Sequence, residues 1–268
     1  PVPWRIYASL ALVSFVTLAP GWIVGRIALQ NSSPFLMKQI DRSFDLRTDS
    51  DRLGSIFKTA RCRRLGELPF NEIGTLEVSE KHLFHPSLPV EWMNLRVGHI
   101  SDIHLTGHFD SRYPRFAFEQ LMELRPDLIV LSGDIIDYDH ELDQLESLFG
   151  PLQAPLGKYF VLGNHDRRLS QPQKIRDAMV RCGWIDLGSK TATRMDAGRR
   201  LRLIGNERPW FGEAPVWSER DKHPESDSLF VPEFRLAVSH SPDQWPWALK
   251  QRAHWLLAGH THGGQVRL

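Results

Sequence analysis

Five clusters of polar side chains, each placed directly after a run of apolar residues, set the tightest limit on how this chain can fold. They are Asp102 and His104 in SDIHL, Gly133 and Asp134 in SGDIID, Asn164, His165 and Asp166 in GNHD, His240 in VSHSP, and His260 and His262 in GHTHGGQ. The runs LRVGHI (95–100), LIVL (128–131), YFVL (159–162) and WLLA (255–258) have the length of buried strands. Segments of helical character intervene at 116–124, 140–148 and 173–181. This alternation predicts an α/β fold in which the polar clusters meet at the carboxyl ends of strands. Two further runs, LRLI (201–204) and FRLAV (234–238), predict a second, more exposed sheet.

With 268 residues, the chain has room for one large domain and an accessory segment. Its 41% hydrophobic and 24% charged content is that of a globular protein and argues against a disordered one. A formal net charge of +1 gives no global attraction to nucleic acid, and none is expected as a partner. Cys62 and Cys182 form neither a spaced zinc pair nor a disulfide framework.

The amino end is different. Residues 6–25 carry no charge between Arg5 and Arg26, and at about 1.5 Å per residue such a helix reaches ~30 Å, a hydrocarbon core. Residues 1–30 are therefore expected to form a transmembrane anchor, with Trp4, Tyr7 and Trp22 at the interfaces. A cleaved signal peptide fits less well, because its apolar region is ~7–15 residues and Pro20-Gly21-Trp22 is no cleavage site; a buried soluble helix is the weaker alternative. Within 26–64, nine basic side chains face four aspartates. Leu36, Ile40 and Phe44, then Leu53, Ile56 and Phe57, recur at helical spacing after Ser33-Pro34. Residues 31–70 thus read as a basic juxtamembrane neck of amphipathic helices facing anionic head groups, or as a solvated charged neck. The remainder, 71–268, is the expected catalytic domain.

The order DxH, GD, GNHD, H and GHTH resembles the calcineurin-like metallophosphoesterases over nearly two-thirds of the chain. Carboxylates, imidazoles and one amide in this pattern suit a two-metal hydrolytic site, where two cations clamp phosphoryl oxygens and acidify a water. The resemblance implies a four-layer αββα sandwich, with more sheet expected after Leu268. It also implies that Asp134 bridges two divalent metal ions, that Asp102, His104 and His262 complete the first site, and that Asn164, His240 and His260 complete the second. His165 is the implied non-ligand histidine on the substrate, with Asp166 orienting its ring, and Asp137 has a supporting place. The i, i+2 spacing of Asp102/His104 and His260/His262 predicts side chains on one side of extended backbone. Glycines 133, 163, 259, 263 and 264 allow sharp turns beside metal and phosphate. A donor set without thiolate suits Mn²⁺, Fe or Zn²⁺. The other seven histidines stand outside any motif.

Within the family, GHTHGGQ after SHSPD is similar to a bacterial membrane-associated branch that includes enzymes resembling UDP-2,3-diacylglucosamine pyrophosphatases. The expected function is hydrolysis of a phosphodiester or pyrophosphate bond in a lipid-linked substrate, by an enzyme tethered to the bacterial inner membrane. The positive-inside rule puts the catalytic domain on the cytoplasmic face. A broad phosphodiesterase or phosphatase of the cell envelope is the alternative, and a non-catalytic metal-binding membrane scaffold is a third. The segment 208–230, rich in Pro, Trp and charge, is expected to lie over or beside the site. Trp210, Trp217, Trp245 and Trp247 are candidates to contact a bilayer or acyl chain, or are packing residues.

Overall fold

The computed structural model describes residues 36–47, 55–68, 71–86, 88–217 and 231–262. The expected anchor, Leu53, residues 218–230 and Gly263-Gly264 lie outside them. Among the described residues, no helix is long and apolar enough to cross a membrane.

The chain divides into two compact units. In the smaller, residues 36–41 and 79–86 are described, and Gln39 Nε2 and Ser79 Oγ both donate to the Asp41 carboxylate. The larger unit takes in 42–78 and everything from Ser87 onward.

Two four-stranded sheets form the frame of the larger unit. In the first, β3 (Val97–Ile100), β4 (Leu128–Ser132), β5 (Lys158–Val161) and β6 (Ile185–Asp186) run parallel in that order. The connections carry α2 (Arg112–Glu123), a 3-10 turn leading into α3 (Leu145–Phe149), and α4 (Pro172–Arg181). The second sheet has the order β10-β9-β8-β7. Here β7 (Thr191–Asp196) and β8 (Arg199–Asn206) form a hairpin, while β9 (Glu233–Ser239) and β10 (Trp255–Ala258) extend it in parallel. A short helix, α5 (Trp245–Lys250), connects the last two.

Side-chain alternation along β4 explains the layering. Ile129 and Leu131 pack with Phe118, Phe149, Ile175 and Met179 of the helices. Leu128 and Val130 point the other way, against Leu203, Phe234 and Leu236 of the second sheet. On that sheet's far side Ile204, Ala237 and Leu256 meet Ala248 and Trp247 of α5. The result is helix, sheet, sheet, helix. Each large side chain so buried contributes about 1.5–3 kcal/mol. Parallel strands covered on both faces need no polar alternation, hence the unbroken apolar runs.

Three expectations are corrected. The runs at 201–204 and 234–238 are not in a more exposed sheet: apart from their first residues, β8 and β9 are buried. Trp255–Ala258, which resembles the first three runs in sequence, pairs with β9 in the second sheet. Leu36, Ile40 and Phe44 do not lie on a helix. Leu36–Asp45 is strand β1, paired with β2 (Thr75–Leu83). A spacing of four keeps side chains on one face of a helix and on one side of a strand alike. Arg42, Phe44 and Leu46, each more buried than its neighbours, reveal the period of two. Phe44 stands edge-on to Phe116 of α2, with ring centroids 5.4 Å apart. Helix does occur in the neck at α1 (Ala60–Gly66), where Thr59 caps the Cys62 N–H.

Candidate metal centre

Beyond their last paired residues, β3, β4, β5, β9 and β10 each deliver side chains to one place. The ladder between β3 and β4 does not stop at the strand ends: Asp102 N donates to the Gly133 carbonyl and His104 N to the Asp134 carbonyl. Gly133, with φ 93°, makes the turn that presents Asp134. At Gly163 a Cβ would collide with the Asp134 carboxylate, so only glycine lets the β5 turn approach this closely.

Asp134 is the centre. Its Oδ2 lies 3.5 Å from His104 Nε2 on one side and 3.2 Å from His240 Nε2 on the other, and its Oδ1 accepts the His165 N–H at 2.8 Å. Two groups form around it: Asp102, His104 and His262 with Asp134, and His240 and His260 with Asp134. Within each, candidate ligand atoms lie within 4.8 Å of one another. Asn164 joins the second group through Oδ1, 3.0 Å from His240 Nε2. The structure thus brings together the seven residues that the resemblance assigns to two metal sites.

The hydrogen bonds behind the imidazoles test whether cations fit. His240 Nδ1 lies 2.8 Å from the Ser132 carbonyl, an acceptor only, so Nδ1 carries the proton. Its Nε2 lone pair then faces the carboxylate of Asp134 and, at 3.2 Å, His260 Nδ1. His104 repeats the design. Its Nδ1 donates to Asp137 Oδ1 at 2.9 Å, and its Nε2 faces His262 Nε2 at 3.2 Å. Lone pairs and anionic oxygens converge in both places, which is a donor set for a cation. The electrostatics of the site pull the same way. Burial lowers the His240 pKa, but Asp134 and the Ser132 carbonyl outweigh it and the net shift is upward. Burial likewise raises Asp134, while His240, the His165 N–H and His104 hold it below its ordinary value. A metal ion held by these residues would take the place of the proton that this field attracts.

Two expectations about this site are corrected. Asp102, His104, His260 and His262 are not on extended backbone: their φ values are 52°, 46°, 71° and 49°, and Asp134 has 53°. Left-handed residues at a functional site cost about 1–3 kcal/mol each and persist only when neighbours enforce them. Here the ladder beyond β3 and β4 does so, together with the His260 N–H on Asp102. Asp166 does not orient His165. It is fully buried and accepts the N–H groups of Asp134, Ile135, Ile136 and Gly163. Burial pushes its carboxyl up to about 7, against those main-chain donors that hold it down. It ties the β4 turn to the β5 turn and touches no substrate position. The group that orients His165 is Asp137, whose Oδ1 accepts from His165 Nδ1 at 2.9 Å as well as from His104.

A sequence profile described as calcineurin-like phosphoesterase matches residues 95–264, which contain every residue of this centre. The chain belongs to that family. It is accordingly a hydrolase of phosphoric esters, and the family uses divalent metals. The chain is 28% identical over 199 residues to the uncharacterized metallophosphoesterase YkuE of Bacillus subtilis, covering 72% of this chain and 67% of YkuE. It is 30% identical over 159 residues to the phosphodiesterase YaeI of Escherichia coli, covering 55% of this chain and 53% of YaeI. A shorter stretch of 74 residues is 34% identical to the UDP-2,3-diacylglucosamine pyrophosphatase LpxG of Chlamydia muridarum, covering 27% of this chain and 22% of LpxG. The chain thus spans about two thirds of YkuE and about half of YaeI.

In this phosphoesterase the four tryptophans have different places. Trp217 is buried and donates to the Gln251 carbonyl, and Trp247 donates to the Pro215 carbonyl, so both are packing residues. Trp245 is exposed. Trp210 stands at the centre itself, its ring 5.1 Å from that of His240 and 5.2 Å from that of His260. Its carbonyl accepts from Arg167, and Arg168 Nη1 donates to His165 Nε2 at 3.2 Å. Sequence reasoning passed over both arginines and gave Asp137 only a supporting place, without its partners. The spacing in GDIID, three residues after a ligand, was the signal available for the latter.

Proposed function

We propose that this phosphoesterase hydrolyses a phosphodiester or pyrophosphate bond in a lipid-linked substrate at the bacterial inner membrane, using two divalent cations of the Mn, Fe or Zn type. The observation that carries the reaction class is Asp134, one carboxylate oxygen standing between two complete donor sets. Bound there, such cations supply Lewis-acid polarisation of the phosphoryl oxygens and activation of water. The chain's own residues do the rest. Asp137 holds the His165 Nδ1 proton and Nε2, which accepts from Arg168, is the ring nitrogen left toward the leaving oxygen; the imidazolium form would be the one able to hand that oxygen a proton. The four main-chain donors on Asp166 keep the Asp134 turn from shifting as charge changes beside it.

The lipid-linked substrate, the anchor at 1–30 and the cytoplasmic face are supported by the uncharged run 6–25, the basic excess that follows it, and the short stretch similar to LpxG. UDP-2,3-diacylglucosamine is the compound to test. The broad phosphodiesterase reading has its own support in the likeness to YaeI. Turnover of both compounds with Mn²⁺ in detergent micelles separates the two readings. The first expects kcat/KM for the nucleotide-linked lipid at least about tenfold above that for bis-p-nitrophenyl phosphate, one extra apolar anchoring step. Faster hydrolysis of the small ester, indifferent to micelles, would establish the second.

A further inference from the structure

Two arginines, Arg167 and Arg168, follow Asp166 directly, and both are exposed. Among the described residues neither is paired with a carboxylate; their hydrogen bonds go to the Trp210 carbonyl and to His165 Nε2. Arg168 stands at the one nitrogen of His165 that Asp137 leaves open.

We infer that Arg168 forms a second anion subsite, on the leaving-group side of His165, that selects substrates whose leaving group is itself a phosphate. This deepens the phosphoesterase reading and rests on it. The cation sets centred on Asp134 take the phosphoryl group that is attacked. In hydrolysis water adds to that phosphorus and releases a proton, the bond to the leaving oxygen breaks, and that oxygen takes a proton from a His165 imidazolium, whose Nε2 is free of Arg168 once the guanidinium turns to the leaving phosphate. Whatever the leaving oxygen is attached to must lie beyond Nε2, away from the metal donors, where the guanidinium is. A pyrophosphate bond puts a charged phosphate there, which accepts two N–H bonds from a planar guanidinium. A simple diester puts an uncharged alkyl or aryl group there and gains little. Arg167, held by the Trp210 carbonyl, fixes the segment that carries its neighbour.

The test compares Arg168→Ala and Arg168→Lys with the unmodified chain on two soluble substrates, a nucleoside diphosphosugar and bis-p-nitrophenyl phosphate, with bound metal measured alongside. Arg168→Ala is expected to lower kcat/KM for the diphosphosugar about 10–100-fold, the size of a lost hydrogen bond between charged groups. The diester should lose less than the diphosphosugar, so that the ratio of the two kcat/KM values falls about tenfold or more, metal content should stay constant, and Lys should restore part of that ratio as a point charge without the paired donors. Equal losses on both substrates, or no loss on either, would overturn the subsite. So would an unmodified chain that cleaves the diester but not the diphosphosugar. An unmodified chain that cleaves neither would bring down the phosphoesterase reading itself.

Discussion

At the ends of β4 and β9 the ligands are sealed: Asp134 is 1% exposed and His240 is fully buried, pinned by the Ser132 carbonyl. His260 and His262, delivered by β10, are exposed, and β10 is the outermost described strand of its sheet, half-buried along its length. Both regions serve the same two cation sets, one ligand from the β10 loop entering each. The difference lies in what holds them. Asp134 is fixed by the ladder that continues from β3 and β4, and His240 by its ring N–H on the Ser132 carbonyl, whereas the β10 loop is held through the His260 N–H on Asp102 and the Gly259 N–H on the His240 carbonyl. The interior defines the geometry, and the edge closes over it.

Substitutions on the two sides should therefore fail differently. His240→Ala removes a ligand that nothing can replace from solvent, and turnover should drop about 10³-fold, several kcal/mol of transition-state stabilisation. Excess metal should not restore it. Next comes Asp137→Asn, which weakens the support behind both His104 and His165. A loss of about 10–100-fold is expected, divided between metal affinity and kcat; a change in only one would mean that the shared carboxylate serves a single histidine. His262→Ala should cost least, about tenfold by the lower end of that range, and activity should recover as metal concentration rises. If His262→Ala proved as severe and as irreversible as His240→Ala, the contrast between interior and edge would be wrong. Asp166→Asn is a test of a different kind. An amide in place of the carboxylate turns N–H donors toward the main-chain donors it now satisfies, and folding stability should fall by about 1–3 kcal/mol. Thermal melting of the metal-free protein measures this, and an unchanged midpoint with lost activity would return Asp166 to a catalytic role.

The sequence was most legible where physics allows one solution. Buried parallel strands must be apolar throughout, so Leu128–Ser132 and Lys158–Val161 stood out, and ligands after such runs must share the carboxyl edge. It was least legible where two geometries share one spacing. Leu36, Ile40 and Phe44 satisfy helix and strand equally, and burial alone separates them. Asp102 and His104 converge in a left-handed turn as well as they would in extended chain, and nothing local distinguishes the two. Asp166, next to His165 in the chain, was the natural partner for it. The chain turns at that point into a short 3-10 segment that buries Asp166 under the β4 turn. Asp137, distant in sequence, takes the place. Adjacency along the chain is a poor guide wherever the backbone reverses.

The central claim is that one side chain, Asp134, serves two cations. Metal content of the purified chain and of Asp134→Ala, measured by mass spectrometry after equilibration with Mn²⁺, tests it most directly. The account predicts two metal ions per unmodified chain, none retained by the variant, and turnover lost with them. A variant that kept both ions, or lost only one, would show that the two sets hold their cations independently, and the shared carboxylate would no longer explain the site.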